Sequence, residues 1–170
     1  ATQPRSVVAD AYRSLRTNLE FAAVDKSLKT IYITSAGVSE GKTSIAINLA
    51  VVMAQGGKRV ILLDADLRRP SVHRSLGLHN SHGLSDVFRG AIDIQEAFTP
   101  WDIQNVRVVL SGSLPPNPAD LLGSKKMDSI LEELKQESDV VIVDGPPCLV
   151  ADASVRASKV DGVILVIRLG

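Results

Sequence analysis

The sequence predicts an α/β fold: a doubly wound, mostly parallel sheet flanked by helices, with an amphipathic helix ahead of it. Three observations predict it. Runs rich in Ile, Val and Leu recur along the chain, they are continuous rather than alternating, and helical apolar spacing lies between them. The runs cover residues 30–35, 59–64, 106–110, 139–144 and 162–168. Continuity is what strands buried on both faces require. Ile45, Leu49, Val52 and Met53 mark a helix after the first run, and Met127, Ile130, Leu131 and Leu134 mark one before the fourth. Val8, Ala11, Tyr12, Leu15, Leu19 and Ala22 share helical spacing over about residues 8–24. No repeat, low-complexity tract or linker interrupts the pattern, so residues 1–170 read as a single domain.

Composition narrows the function classes. The chain has 170 residues, 45% of them hydrophobic, which suits one folded domain rather than a disordered segment. With 19 basic and 19 acidic residues the net charge is zero, so no broad positive field attracts nucleic acid. The longest apolar run, residues 49–54, falls far short of the roughly 18 residues that a membrane crossing needs. The N-terminus lacks the charged-then-apolar layout of a secretory signal. Cys148 has no second cysteine to pair with and suits a reducing compartment. A cytoplasmic domain is expected. Because Arg168-Leu169-Gly170 follows directly on an apolar run, a domain shortened at its C-terminus is expected as well.

Residues 36–43, Ala-Gly-Val-Ser-Glu-Gly-Lys-Thr, fit the eight-residue phosphate-binding loop, with Ala36 where the first Gly is usual. Their context supports the match, since a strand precedes them and an apolar-periodic helix follows. In such a loop the backbone N–H groups of Gly37, Val38, Ser39, Glu40, Gly41, Lys42, Thr43 and Ser44 face phosphates at a positive helix end. Gly41 permits close approach, Lys42 reaches the β/γ oxygens and the Thr43 hydroxyl ligates Mg²⁺. ATP and Mg²⁺ are the expected ligands.

Two aspartates, Asp64 and Asp66, end the second apolar run, and Asp144 ends another before Gly145-Pro146-Pro147. Residues two apart in a strand point to one face, so Asp64 and Asp66 are expected to converge at the strand's C-terminal edge, where open α/β sheets bind ligands. Acidic groups there supply the hard oxygen ligands and the base that a magnesium–nucleotide site uses.

Further motifs accompany these. Residues 64–73, Asp-Ala-Asp-Leu-Arg-Arg-Pro-Ser-Val-His, form a second Walker-type motif with a Leu-Arg and Pro-x-x-His continuation, and Val141-Ile142-Val143-Asp144-Gly145-Pro146-Pro147 forms a Walker B. Ser111-Gly112 is followed by Pro115-Pro116-Asn117-Pro118. Asp10, Arg13 and Arg16 fall at the spacing Glu-x-x-Arg-x-x-Arg, with Asp in place of Glu. In this order the motifs resemble those of the bacterial tyrosine kinases of capsule and exopolysaccharide synthesis, relatives of the MinD and ParA ATPases. The resemblance covers nearly the whole chain.

It implies transfer of the ATP γ-phosphate to a tyrosine hydroxyl, with autophosphorylation in trans regulating polysaccharide synthesis and export. By analogy Lys42 and the loop amides hold the phosphates, Thr43 and Asp66 organise Mg²⁺ and Asp144 supports the metal. Asp64 accepts the tyrosine proton, and Arg68 steadies the aspartates or the phosphate. Asp10, Arg13 and Arg16 imply an oligomerisation face that closes a ring of subunits. The implied partners are a membrane activator of the chain-length-determinant type, neighbouring subunits and a tyrosine-containing protein. The implied location is the inner face of the cell membrane.

Two further departures from the family pattern matter. Val38-Ser39 stands where the family has Pro-Gly, so a differently shaped or less rigid loop is expected. Only Tyr12 and Tyr32 are present, and their settings read as core rather than substrate. A second reading is an ATPase switch of the MinD or ParA type, which controls assembly on a membrane partner without tyrosine phosphorylation. Scarce tyrosines favour it. Gly37, where those ATPases carry a signature lysine, opposes it. A regulatory GTPase has no support, because no Asn-Lys-x-Asp sequence is present. Among other residues, His79 and His82 read as a surface loop, His73 as either a structural or nucleotide-side residue or a surface one, Cys148 as packing and Trp101 as half-buried. Glu132, Glu133 and Lys135 read as a solvated helix face.

Overall fold

The apolar runs become strands of one six-stranded sheet in a computed structural model that describes residues 6–148 and 159–170. In chain order the elements are α1 (Val7–Ala22), β1 (Thr30–Ser35), α2 (Lys42–Gln55), β2 (Val60–Asp64), α3 (Val72–Leu76) and α4 (Leu84–Phe88). A 3₁₀ turn (Ile94–Ala97), β3 (Phe98–Thr99), β4 (Val106–Val109), α5 (Pro118–Leu122), α6 (Lys125–Gln136), β5 (Val140–Asp144) and β6 (Gly162–Val166) follow. The sheet order is β3-β4-β2-β5-β1-β6, parallel except where β3 pairs antiparallel with β4.

The continuous runs reflect two cores, one on each face. Ile61, Leu63, Val141 and Val143 enter a layer with Met127, Ile130, Leu131 and Leu134 of α6. Their neighbours Val60, Leu62, Val140 and Ile142 enter the opposite layer, with Ala46, Leu49, Ala50 and Met53 of α2. Side-chain alternation therefore needs an apolar residue at every position of a central strand. At the edge this fails. Val163 and Leu165 of β6 are about half exposed, so burial on both faces, as expected for that run, does not hold there.

Ser6 caps α1 by accepting the Ala9 N–H at 3.0 Å. Of the expected apolar stripe, Tyr12, Leu15 and Leu19 pack on the α2 layer, while Val8, Ala11 and Ala22 at its ends are exposed. Arg16 adds a polar clamp, donating from Nη1 to the Val52 carbonyl of α2 at 2.6 Å. No helix among the described residues is long and apolar enough to cross a membrane.

Two details fix the mouth of the sheet. A Cβ at Gly145 would lie 2.1 Å from the ring of the buried Tyr32, so only glycine lets the chain leave β5 over that ring. The Thr34 hydroxyl donates to the Pro146 carbonyl at 2.7 Å, tying the exits of β1 and β5 together.

At the other end of the sheet, Asp161 Oδ2 accepts the backbone N–H groups of Lys29 and Thr30 at 2.9 and 3.0 Å, and its own N–H donates to Thr30 Oγ1 at 3.0 Å. Burial alone would raise this carboxyl, but the two amides outweigh it and hold Asp161 below the usual carboxylate range. A depressed folded value means the stabilisation is complete above the unfolded carboxylate pKa and is lost as pH falls through the folded value. Asp161→Ala is therefore expected to lose about 1 kcal/mol at pH 7, the low end for charged hydrogen bonds because the side chain is part-exposed. Urea unfolding should show the difference shrinking as pH drops below about 4.

Candidate active site

The site forms where β1, β5 and β2 end side by side. Parallel register sets Asp64 opposite Asp144 and Ile33 opposite Asp144, so the second and fifth strands bring their terminal carboxylates next to the loop that leaves β1. Lys42, first residue of α2, is 8% exposed and donates from Nζ to Asp144 Oδ1 at 2.7 Å, with Asp66 Oδ2 at 3.5 Å. Thr43 Oγ1 donates to Asp144 Oδ2 at 2.7 Å and lies 2.6 Å from Ser71 Oγ. Both oxygens of Asp144 are thus engaged by the start of α2.

Asp64 has 0% exposure, and its oxygens accept the N–H groups of Asp66 (3.1 Å) and Val72 (3.2 Å). Asp66 Oδ1 accepts the Arg69 N–H at 3.0 Å. The two carboxylates are close, but not as residues two apart in a strand, because β2 ends at Asp64. The turn that follows directs Asp66 to the cavity and leaves Asp64 behind it.

Burial pushes the Asp64 carboxyl well above the usual range, and the Asp144 charge adds to it. Asp144 is raised by burial against the pull of Lys42. Lys42 stays above its ordinary value because Asp144, Asp66 and Asp64 outweigh its own burial. The shared proton belongs on the amine, since the 2.7 Å contact joins it to a carboxylate with a second donor in Thr43.

The loop has the backbone an anion needs. Ser39 (φ 59°) and Gly41 (φ 85°) are left-handed, a pattern that turns neighbouring N–H groups into one concavity. Ser39, where the family has Gly, takes the left-handed conformation that glycine usually supplies. A cavity of about 610 Å³ is lined by residues 38–44, Ser35, Asp66, Arg68, Arg69, Ser71, Arg74, Ser75, Pro146 and Pro147. Gly37, Asp64 and Asp144 are not on its wall. Nucleotide phosphates fit this donor set. For Mg²⁺ the oxygens of Thr43, Asp66 and Asp144 are of the right kind. Among the described residues no three acidic or imidazole groups form a ready-made cage. That fits an ion that shares phosphate oxygens and keeps waters.

An AAA-domain family profile matches residues 28–170. Over 170 residues the chain is 46% identical to Tyrosine-protein kinase YwqD of Bacillus subtilis (strain 168), covering 99% of this chain and 72% of that protein. The chain belongs to the bacterial tyrosine kinase family. The kinase superposes on the kinase domain of Escherichia coli tyrosine kinase ETK with a TM-score of 0.91 at 37% identity, covering 95% of this chain and 64% of that one. The Pyrococcus furiosus cell division ATPase MinD is more distant, with a TM-score of 0.69 at 25% identity over 81% of this chain and 58% of that one. The family resemblance read from the motifs is borne out.

In the kinase Arg68 lines the cavity, as do Arg69, Ser71 and Arg74, for which the sequence suggested no role. Residues 64–73 carry the first three and Arg74 follows directly, but position within a motif does not reveal which side chains face a ligand. Asp10 and Arg13 form an exposed pair at 2.8 Å on α1, whereas Arg16 is engaged within the chain. The Ser111-Gly112 segment acquires a physical role. Asn80 brackets it, accepting the Gly112 N–H at 2.8 Å and donating to the Gly112 carbonyl and Ser111 Oγ at 3.0 Å each. His79 is exposed, and His82 Nδ1 lies 3.3 Å from Ser81 Oγ. Cys148 and Trp101 are half-buried against the two cores, and Glu132 and Glu133 are exposed, as expected.

Proposed function

We propose that this chain is an ATP- and Mg²⁺-dependent protein-tyrosine kinase domain, and the observation that carries the reading is the convergence of Lys42, Thr43, Asp66 and Asp144 at the mouth of β1. The loop amides of residues 37–44 and the Lys42 ammonium hold the β/γ-phosphates. Thr43 and Asp66 hold Mg²⁺, with Asp144 supporting it, and the ion supplies charge neutralisation on the phosphoryl oxygens. Arg68 stands on the same wall for the transferring group. Asp64 accepts the tyrosine proton. Asp64 lies behind Asp66 and off the cavity wall, with each oxygen on a backbone N–H, so this role has the proton reach it through one water rather than by direct contact. Catalysis is positioning and charge neutralisation, as phosphoryl transfer requires little else from a protein.

The acceptor tyrosine is neither Tyr32, with 0% exposure, nor Tyr12, packed between α1 and α2. It comes from another molecule or segment, which accords with phosphorylation in trans. The exposed Asp10–Arg13 pair on α1 is the face proposed to join neighbouring subunits in a ring. A membrane activator of the polysaccharide chain-length-determinant type, docked at the inner face of the cell membrane, is the proposed partner, and capsule or exopolysaccharide synthesis the process regulated.

Incubation with ATP, Mg²⁺, a tyrosine peptide and the cytoplasmic tail of such an activator is expected to yield phosphotyrosine by mass spectrometry. ATP hydrolysis with no phosphotyrosine on any chain would replace the kinase reading by the ATPase switch.

A further inference from the structure

A second cavity of about 500 Å³ opens on the far side of the arginines that line the nucleotide cavity. Arg68, Arg69 and Arg74 belong to both walls, and the remaining wall is Pro70, His73, Asn80 and residues 112–114. Among the described residues no carboxylate lines it. Among the described residues neither Arg69 nor Arg74 has an ion-pair partner, although 19 acidic residues are available in the chain. His73 contributes a buried Nδ1 with no hydrogen-bond partner among the described residues. An unpaired buried polar atom normally costs stability and calls for an explanation. Burial, and then the neighbouring Arg74 charge, lower the His73 pKa, so the ring is neutral at pH 7 and can donate or accept without adding charge.

The wall opposite the arginines is rigid. Gly112 (φ 76°) is clamped by Asn80 on both its N–H and its carbonyl, and a Cβ there would lie 2.5 Å from Ser85 Oγ. At the rim Leu114 is 62% exposed, an apolar surface beside a polar pocket. The cavity therefore offers guanidinium donors, a neutral imidazole and an apolar lip, directly beside the residues assigned to the phosphates.

Resting on the kinase reading above, we infer that this second cavity binds an anionic side chain, carboxylate or phosphate, flanking the acceptor tyrosine of the substrate. Arginine forks suit both groups, since each offers paired oxygens to parallel N–H donors. Occupancy places an acid beside the tyrosine and leaves the nucleotide's own contacts with Lys42 and the loop amides untouched.

The test uses one tyrosine peptide with the flanking residue set to Ala, Glu, phosphotyrosine or Lys, comparing kcat/KM and binding by fluorescence anisotropy. The unaltered chain is expected to prefer the Glu or phosphotyrosine peptide over Ala by about tenfold, a preference that weakens as salt is raised. Which of the two is favoured distinguishes carboxylate from phosphate. Arg74→Ala should bring the ratio close to one, and Arg74→Glu should turn the preference to the Lys peptide. The ratio is read within each variant, so a change in absolute rate does not disturb it. Equal kcat/KM and equal binding across the flanks would overturn the site, as would a preference that Arg74→Glu leaves unchanged. If no peptide is phosphorylated at all, the kinase reading fails separately, and the anisotropy series still decides whether the cavity selects an anion.

Discussion

Lys42→Met is expected to lower phosphoryl transfer at least about 100-fold while the chain still folds. The ammonium lies 2.7 Å from Asp144 and 3.5 Å from Asp66, both of them buried carboxylates. Without it no fixed positive charge at the start of α2 faces the transferring group. The carboxylates also lose their counter-charge, and removing one partner of a buried pair costs a few kcal/mol. Asp144 keeps the Thr43 hydroxyl and, with its raised carboxyl, takes up a proton more readily than an ordinary aspartate. Circular dichroism should therefore report a folded but less stable chain. Mg²⁺ should raise its Tm more than it raises that of the unaltered chain, because the ion replaces the missing charge. Turnover within tenfold of normal, measured by labelled phosphate transferred from ATP, would remove Lys42 from the phosphates.

Asp64→Asn separates a base from a structural residue. As the proton acceptor, Asp64 should lose about 100-fold or more in transfer rate when neutralised, with ATP affinity held within about threefold. The basis for intact binding is geometric, since Asp64 has no place on the cavity wall and Asp66 does. The amide also turns a donor toward one of two backbone N–H groups, Asp66 or Val72, which costs about 1–3 kcal/mol. Asp66→Asn is the companion measurement, expected to raise the Mg²⁺ concentration needed for half-maximal rate. Should Asp64→Asn weaken ATP binding and transfer equally, the residue would act by positioning the turn that holds Asp66.

Much of this is legible in the sequence. The P-loop reads from residues 36–43 because its chemistry needs consecutive residue types. The β1 bounds of Thr30–Ser35 match the apolar run, and most strand ends lie within two residues of theirs. Two-residue β3 was missed, since it is too short for periodicity to mark and its pairing is decided by β4. Short helices α3, α4 and α5 were missed for the same reason. Arg16 illustrates the other limit: its spacing from Arg13 suggests a shared face, yet its contact is the Val52 carbonyl, 36 residues away.

By itself the sequence determined the family, the α/β class, the loop and the acidic residues that end its strands, because each depends on residue types at short spacing. Tertiary structure alone decided that β5 lies between β1 and β2, which sets Asp144 against both Lys42 and Thr43. It also decided that Asp66 faces the cavity while Asp64 lies behind it, and that Arg69, Ser71, His73 and Arg74 border two neighbouring open cavities. The physical reason is strand order. In a parallel sheet, neighbours are chosen by crossovers between distant segments, and no local pattern encodes which carboxylate a lysine will meet.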